Sequence, residues 1–567
     1  MLFGLLACTD QSAGSAPSLK ASPAAAPARG TQIPVADVAT AIQDALFSDR
    51  NPALGLLTPA ERKQLSALYS VDAFAPLWVE ASGRPNRDAH DALALLDAAA
   101  DEGLDPADYH AHALDALATA LEAAPAPRVS DIAAFDAGLS ANTLRYLQQL
   151  HNGRVDPRAI GFRMTAPRDD DDFAALLRSA LTGHRITGVA AELTPPFALY
   201  RALRGMLARY RSLAADPTLE NLLLPPTATS VKPGKPYAAL DTLRRLLVAL
   251  GDLPADAPAS SEPMTYDGAI VEGVKHFQMR HGLDADGALG KATQAALRVP
   301  LAWRARQIEL ALERLRWLPH LGTQRFIAVN IPMFHLWGWD SIPADGAPAF
   351  GMGVIVGRAL NTQSPVFVEE MQYLIFRPYW NVPTSILRHE TLPAIERDPD
   401  YLRKQDMEIV AGPGDDARPV ELTAETLAQL RQGRLRVRQR PGPKNSLGLV
   451  KFVFPNDDNV YMHGTPAPQL FRHPRRDFSH GCVRVEDPVA LAEWALDDQN
   501  EWSRDRILEA MNTSHSLRVN LARPIQVILF YVTAVVMPED GTIRFAEDIY
   551  GHDARLDRAL TRRGATR

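Results

Sequence analysis

The chain has 567 residues, a net charge of −7 and two cysteines. Its length implies several domains at ~100–200 residues each. A sequence pI near 6.1 leaves no basic field for nucleic acid, and two cysteines cannot build a disulfide framework.

The first residues end in Leu5-Leu6-Ala7-Cys8, which has the form of a lipobox. Residues 9–34 are rich in Ala, Ser and Pro, the composition of a tether. Segment 1–35 is therefore read as a signal remnant and flexible tether, with export and a lipid anchor at Cys8. A ragged terminus that matches by chance is the alternative.

Residues 36–230 read as a helical scaffold. Segments 91–101 and 136–150 place apolar residues at three and four spacings, and nothing catalytic stands out there. Residues 236–298 read as a module of three short helices. Leu240, Leu243, Leu247 and Leu250 form one stripe, and Val271, Val274 and Phe277 another. Gly282, Gly287 and Gly290 punctuate the turns. The pattern Phe277-Gln278-x-x-His281-Gly282-Leu283-x-x-Asp286-Gly287-x-Leu289-Gly290 resembles peptidoglycan-binding domains of cell-wall enzymes.

From about 325 the period changes to alternation, as in Phe326-Ile327-Ala328-Val329-Asn330 and Val450-Lys451-Phe452-Val453-Phe454. Residues 325–515 are expected to form a mainly-β domain, interrupted at about 384–440 by a polar, partly helical insert that serves as a cap. The apolar run 525–537 is shorter than the ~18 residues of a membrane span and reads as a buried strand. Residues 516–567 are expected to form a C-terminal strand segment and tail that packs on the scaffold or the β domain.

The chemistry gathers in Tyr461-Met462-His463-Gly464-Thr465 and Ser479-His480-Gly481-Cys482-Val483-Arg484. Cys482 is the one thiol outside the N-terminal segment. Residues 459–464 should form a strand that puts Tyr461 and His463 on one face. His463 would take the proton of Cys482 and give a thiolate–imidazolium pair. Backbone N–H groups near Gly481 and Cys482, with the Tyr461 hydroxyl, would hold an oxyanion. His480 is given a positioning role. Arg484, on the side of Cys482, would bind a substrate carboxylate. Other readings compete. His463, His473, His480 and Cys482 could bind zinc, Cys482 could be inert, His480 could be structural, and Arg484 could simply pair with Glu486 or Asp487.

His463-Gly464-Thr465 followed by Ser479-His480-Gly481-Cys482-Val483-Arg484 resembles the L,D-transpeptidase motif. Trp380-Asn381-Val382-Pro383, Gln439-Arg440-Pro441-Gly442-Pro443-Lys444-Asn445 and Lys451-Phe452-Val453-Phe454-Pro455-Asn456 are similar to its large Gram-negative type. The resemblance implies a multidomain α+β protein of the periplasm. It would comprise a helical scaffold, a small peptidoglycan-binding module and a mainly-β L,D-transpeptidase catalytic domain with an inserted cap. It implies catalysis by Cys482, His463, His480, Gly481 and Tyr461, and substrate contacts from Arg484, Ser479, Trp380 and Asn381. The implied substrates are peptidoglycan tetrapeptide stems, joined into 3–3 cross-links without metal or organic cofactor, and cell-wall synthases are candidate partners. A carboxypeptidase, an enzyme that attaches or releases a lipoprotein, and a non-catalytic wall-binding protein are the alternatives.

Overall fold

A computed structural model describes residues 33–565, apart from 48–56, 165–171, 221, 223, 226–228, 261, 320, 322–323, 342–345, 359–361 and 415–416. Cys8 and its lipobox lie outside the described residues. No described helix is long and apolar enough to cross a membrane.

The architecture is multidomain: a helical N-terminal part, a small helical module and a β-rich C-terminal part. The scaffold is organised by the helix Val129–Asn152, buried along most of its length. Its neighbours include Val35–Phe47, Arg87–Asp97 and Ala111–Ala123. This core is not purely apolar. The buried Asp136 carboxylate accepts from the Tyr69 hydroxyl at 2.6 Å, from Leu77 N–H at 2.9 Å and from Trp78 N–H at 2.8 Å. Burial still pushes that carboxyl up to about 6. Asp136→Ala strands the Leu77 and Trp78 donors, and an unpaired buried donor costs ~1–3 kcal/mol. We expect a loss of about 4 kcal/mol in scaffold stability, summing the two at mid-range, read from denaturant unfolding. An unfolding midpoint unchanged by the substitution would show that this carboxylate does not hold the loop at 77–78.

The module contains helices Leu240–Leu250, Ala269–Arg280 and Lys291–Leu297, and also a two-strand ribbon in which Lys235 and Pro236 pair with Tyr266 and Thr265. Scaffold helix Ala198–Ala215 packs on Leu301–Leu315, the helix that follows the module. Tyr200 and Leu203 therefore share one core with Leu247, Phe277 and Ile528.

The C-terminal part is built on nine strands: β1 Phe326–Asn330, β2 His335–Trp339, β3 Phe350–Gly357, β4 Phe367–Phe376, β5 Val450–Val453, β6 Met462–His463, β7 Asp477–Ser479, β8 Val483–Val485 and β9 Leu517–Phe530. They order as β7-β3-β8-β6-β5-β4-β9-β1-β2, and β2 pairs back onto β3. Eight of the strands so close a ring, and β7 continues from β3 outside it. Val354, Leu374, Phe452, Met462 and Val483 fill its main core. Two expectations need correction. β9 is an inner strand between β4 and β1, not an appended segment. The stretch 459–464 is extended only at β6, because Asn456 folds what precedes it: its side chain bonds Phe454 O, Val460 O and Val460 N–H, and Asn459 has φ +54°.

The cap is more than a polar insert. Strands Trp380–Asn381, Arg436–Gln439, Met407–Ala411 and Arg418–Val420 form their own four-stranded sheet, in that order. Helices Leu392–Arg397 and Ala424–Arg431 lie with it. Ile386, Leu392, Ile409, Leu430 and Val437 give it a separate core.

Candidate active site

Two short strands set the site. β6 and β8 run parallel, with Met462 opposite Val483 and His463 opposite Arg484. Side chains alternate across strands. Met462, Val483 and Val485 therefore enter the core, and Tyr461, His463, Cys482 and Arg484 share the other face. Lys451 of β5 stands opposite His463 and joins them.

Cys482 occupies the turn before β8, and the next helix opens only at Pro488, where the Asp487 carboxylate accepts from Val489 and Ala490 N–H. The sulfur is half-buried and lies 3.9 Å from Asn459 O. Burial and the neighbouring Cys482 push the Tyr461 hydroxyl up from its ordinary value, and the Trp380 side chain pulls the other way. Lys451 Nζ sits 3.7 Å from the centre of the Tyr461 ring. Burial pushes the thiol up from its ordinary value, against the lowering pull of Tyr461, Lys451 and Arg484.

His463 is buried, with its ring 5.7 Å from that of Tyr461. Nδ1 lies 2.6 Å from Gly464 O. A carbonyl can only accept, so Nδ1 carries the proton and Nε2 keeps the lone pair. Burial and the Arg484 charge pull His463 down to about 3. Both shifts run against charge separation between Cys482 and His463. Among the described residues no hydrogen bond joins Cys482 to His463; the hydroxyl at the sulfur is that of Tyr461.

The loop around the thiol is braced from within. Ser479 is buried; its hydroxyl donates to Cys482 O at 2.5 Å and accepts Gly481 N–H at 3.1 Å. Ser479 thus holds the turn, and Gly481 N–H is already used. Cys482 N–H has no partner among the described residues. Gly481 has φ +115°, open to glycine and strained for other residues. Its carbonyl accepts from Ser364 Oγ at 2.6 Å, Ser364 N–H bonds Tyr550 Oη at 3.2 Å, and Tyr550 donates to Gly357 O at 2.5 Å.

His480 turns away from the sulfur. Its Nε2 lies 2.8 Å from Glu390 Oε1 of the cap. Arg484 makes no ion pair among the described residues, and its Nε is a buried donor without an acceptor. Glu486 instead accepts Gly353 N–H, and Asp487 caps its helix. Trp380 reaches the site through Tyr461. Asn381 is exposed and bonds Arg436 at 3.1 Å. No group of three His, Cys, Asp or Glu side chains among the described residues is placed to hold a metal.

Sequence comparison fits this geometry. Residues 324–513 match the L,D-transpeptidase catalytic domain, 63–207 a scaffold domain, and 237–297 the family described as "Putative peptidoglycan binding domain". The chain thus carries an L,D-transpeptidase catalytic domain, joined to a scaffold and a peptidoglycan-binding module. A Haemophilus influenzae protein described as "Putative L,D-transpeptidase" is 31% identical over 257 residues, 45% of this chain and 49% of that protein. The match thus spans about half of the relative's length. A solved structure titled "Structure of the Ldtfm-avibactam carbamoyl enzyme" is 10% identical and covers 58% of this chain and 98% of its own, with a TM-score of 0.17. A superposition that loose carries no conclusion about this chain.

Proposed function

We propose that this chain is an extracytoplasmic L,D-transpeptidase acting on peptidoglycan tetrapeptide stems in the periplasm. Cys482 attacks the carbonyl at the L-centre of diaminopimelate. Its proton passes to His463, and the carbonyl electron pair moves to oxygen, held by Cys482 N–H and the Tyr461 hydroxyl. The tetrahedral adduct collapses, the C–N bond to the terminal D-Ala breaks, and the D-Ala amine leaves with the proton. The side-chain amine of a second stem then resolves the thioester and restores the thiol, giving a 3–3 cross-link.

The observation that carries this reading is a lone thiol on one face with the unpaired Arg484 donor, in a domain matched to this family. Arg484 and Lys451 suit a substrate that bears carboxylates. Trp380 and Asn381, in the first cap strand, serve as substrate contacts, and the Glu390–His480 contact lets the cap gate entry. A lipid on Cys8 and docking to cell-wall synthases complete the proposal.

Mass spectrometry of products from defined disaccharide-tetrapeptides tests it. The expected product is a dimer lighter than two substrates by one D-Ala. Tripeptide monomer alone would assign a carboxypeptidase, an acyl-enzyme that waits for a protein amine would assign lipoprotein attachment, and no acyl-enzyme at all would leave a wall-binding protein.

A further inference from the structure

A cleft of about 420 Å³ opens between the module and the β-domain, and Cys482 does not line it. One wall is the module segment 279–285. The others are the turn between β1 and β2, the segment 472–476 and the strand Ile543–Phe545 with Glu547. Segment 472–476 runs directly into β7 and the Cys482 turn, and Val356 N–H bonds Arg476 O.

The cleft carries positive charge that its own acids do not match. Arg280 is neutralised by Asp252, at 2.5 and 2.6 Å. Arg475 bonds Asp477 at 2.8 Å and Glu547 at 3.2 Å. Arg472 is exposed and pairs with no carboxylate among the described residues. Arg476 donates to the carbonyls of Val354, His473 and Phe334 and feels Glu486 only through space. Arg544 reaches Asp540 only at 3.4 Å, and its Nε is buried without an acceptor. Asp284 is the other acid lining the cleft. Such an excess on a chain of net charge −7 is a local arrangement, not a reflection of composition.

We propose that this cleft is a second binding site, which takes the carboxylates of a peptidoglycan stem peptide on the strand held by the module. The inference rests on the peptidoglycan reading above. Neutral glycan offers guanidinium groups no charge, whereas stem peptides carry free carboxylates that match their fork. One wall belongs to the wall-binding module and another to the polypeptide leading into the active-site turn. A stem seated here ties polymer capture to the thiol's own domain, and leaves the acyl site free for a different stem.

Sedimentation with purified sacculi tests this, using the full chain with Cys482→Ala so that no acyl-enzyme forms. Sacculi are used intact or with their stem carboxylates converted to primary amides. The parent should bind amidated sacculi about tenfold more weakly than intact ones, the scale of a single charge-assisted hydrogen bond. Arg472→Glu with Arg544→Glu should weaken binding to intact sacculi by about as much and to amidated ones no further. Arg472→Gln, a surface change read alongside its unfolding midpoint, should fall between them. Equal binding of parent and reversed variant to intact sacculi would overturn the site, and so would a parent indifferent to loss of the stem carboxylates. Acylation of the wild-type chain by a carbapenem reports on the catalytic reading separately.

Discussion

Cys482→Ala should abolish covalent adduct formation with a carbapenem while leaving the fold in place. Among the described residues the sulfur makes no disulfide, and its approach to Asn459 O is long, at 3.9 Å. The turn is held by Ser479, Ser364 and the strain-free glycine at 481, none of which needs the thiol. Intact-mass spectrometry reads the outcome directly. A variant that still gained the adduct mass would move the nucleophile elsewhere.

His463→Ala should slow acylation by ~10²–10⁴-fold, the usual value of a positioned base. Its pH dependence is more telling than its size. With His463 drawn down to about 3, the wild-type base is already unprotonated from pH 5 upward. The thiol, raised by burial, stays protonated across the same range. The wild-type rate should therefore be flat between pH 5 and 8, with no inflection near 6.5. Without the base only preformed thiolate reacts, so the rate of His463→Ala should climb about tenfold per pH unit. Stopped-flow acylation over that range decides it. A wild-type inflection near 6.5 would restore the thiolate–imidazolium pair.

The residues at the sulfur were legible because they are local. Tyr461, His463, Cys482 and Arg484 fall within two short stretches, and strand alternation alone puts each pair on one face. What could not be read is what long-range pairing supplies. Lys451, between Val450 and Phe452, carries no signal of its own; only the register of β5 against β6 brings it over Tyr461. Ser364 and Tyr550 lie more than sixty residues from the motif and carry no signature, yet they fix the Gly481 carbonyl. That Ser479 is buried and braces the turn could not be read from its place in the motif either. The cap sheet was missed because its strands are only two to five residues long and its first one, Trp380–Asn381, precedes the insert.

The place of β9 has a consequence for how the enzyme comes into being. A ribosome making this chain at ~5–20 residues per second delivers the Cys482 turn well before residues 517–530 have emerged. Until that strand slots between β4 and β1, the ring is open, and β4 and β1 each lack one of their two partners. The scaffold and module precede it in the chain, whereas pairings of high sequence separation form slowly. The reactive thiol is thus assembled last, by a strand and a tyrosine that follow it, and no nascent chain short of Tyr550 holds the completed turn.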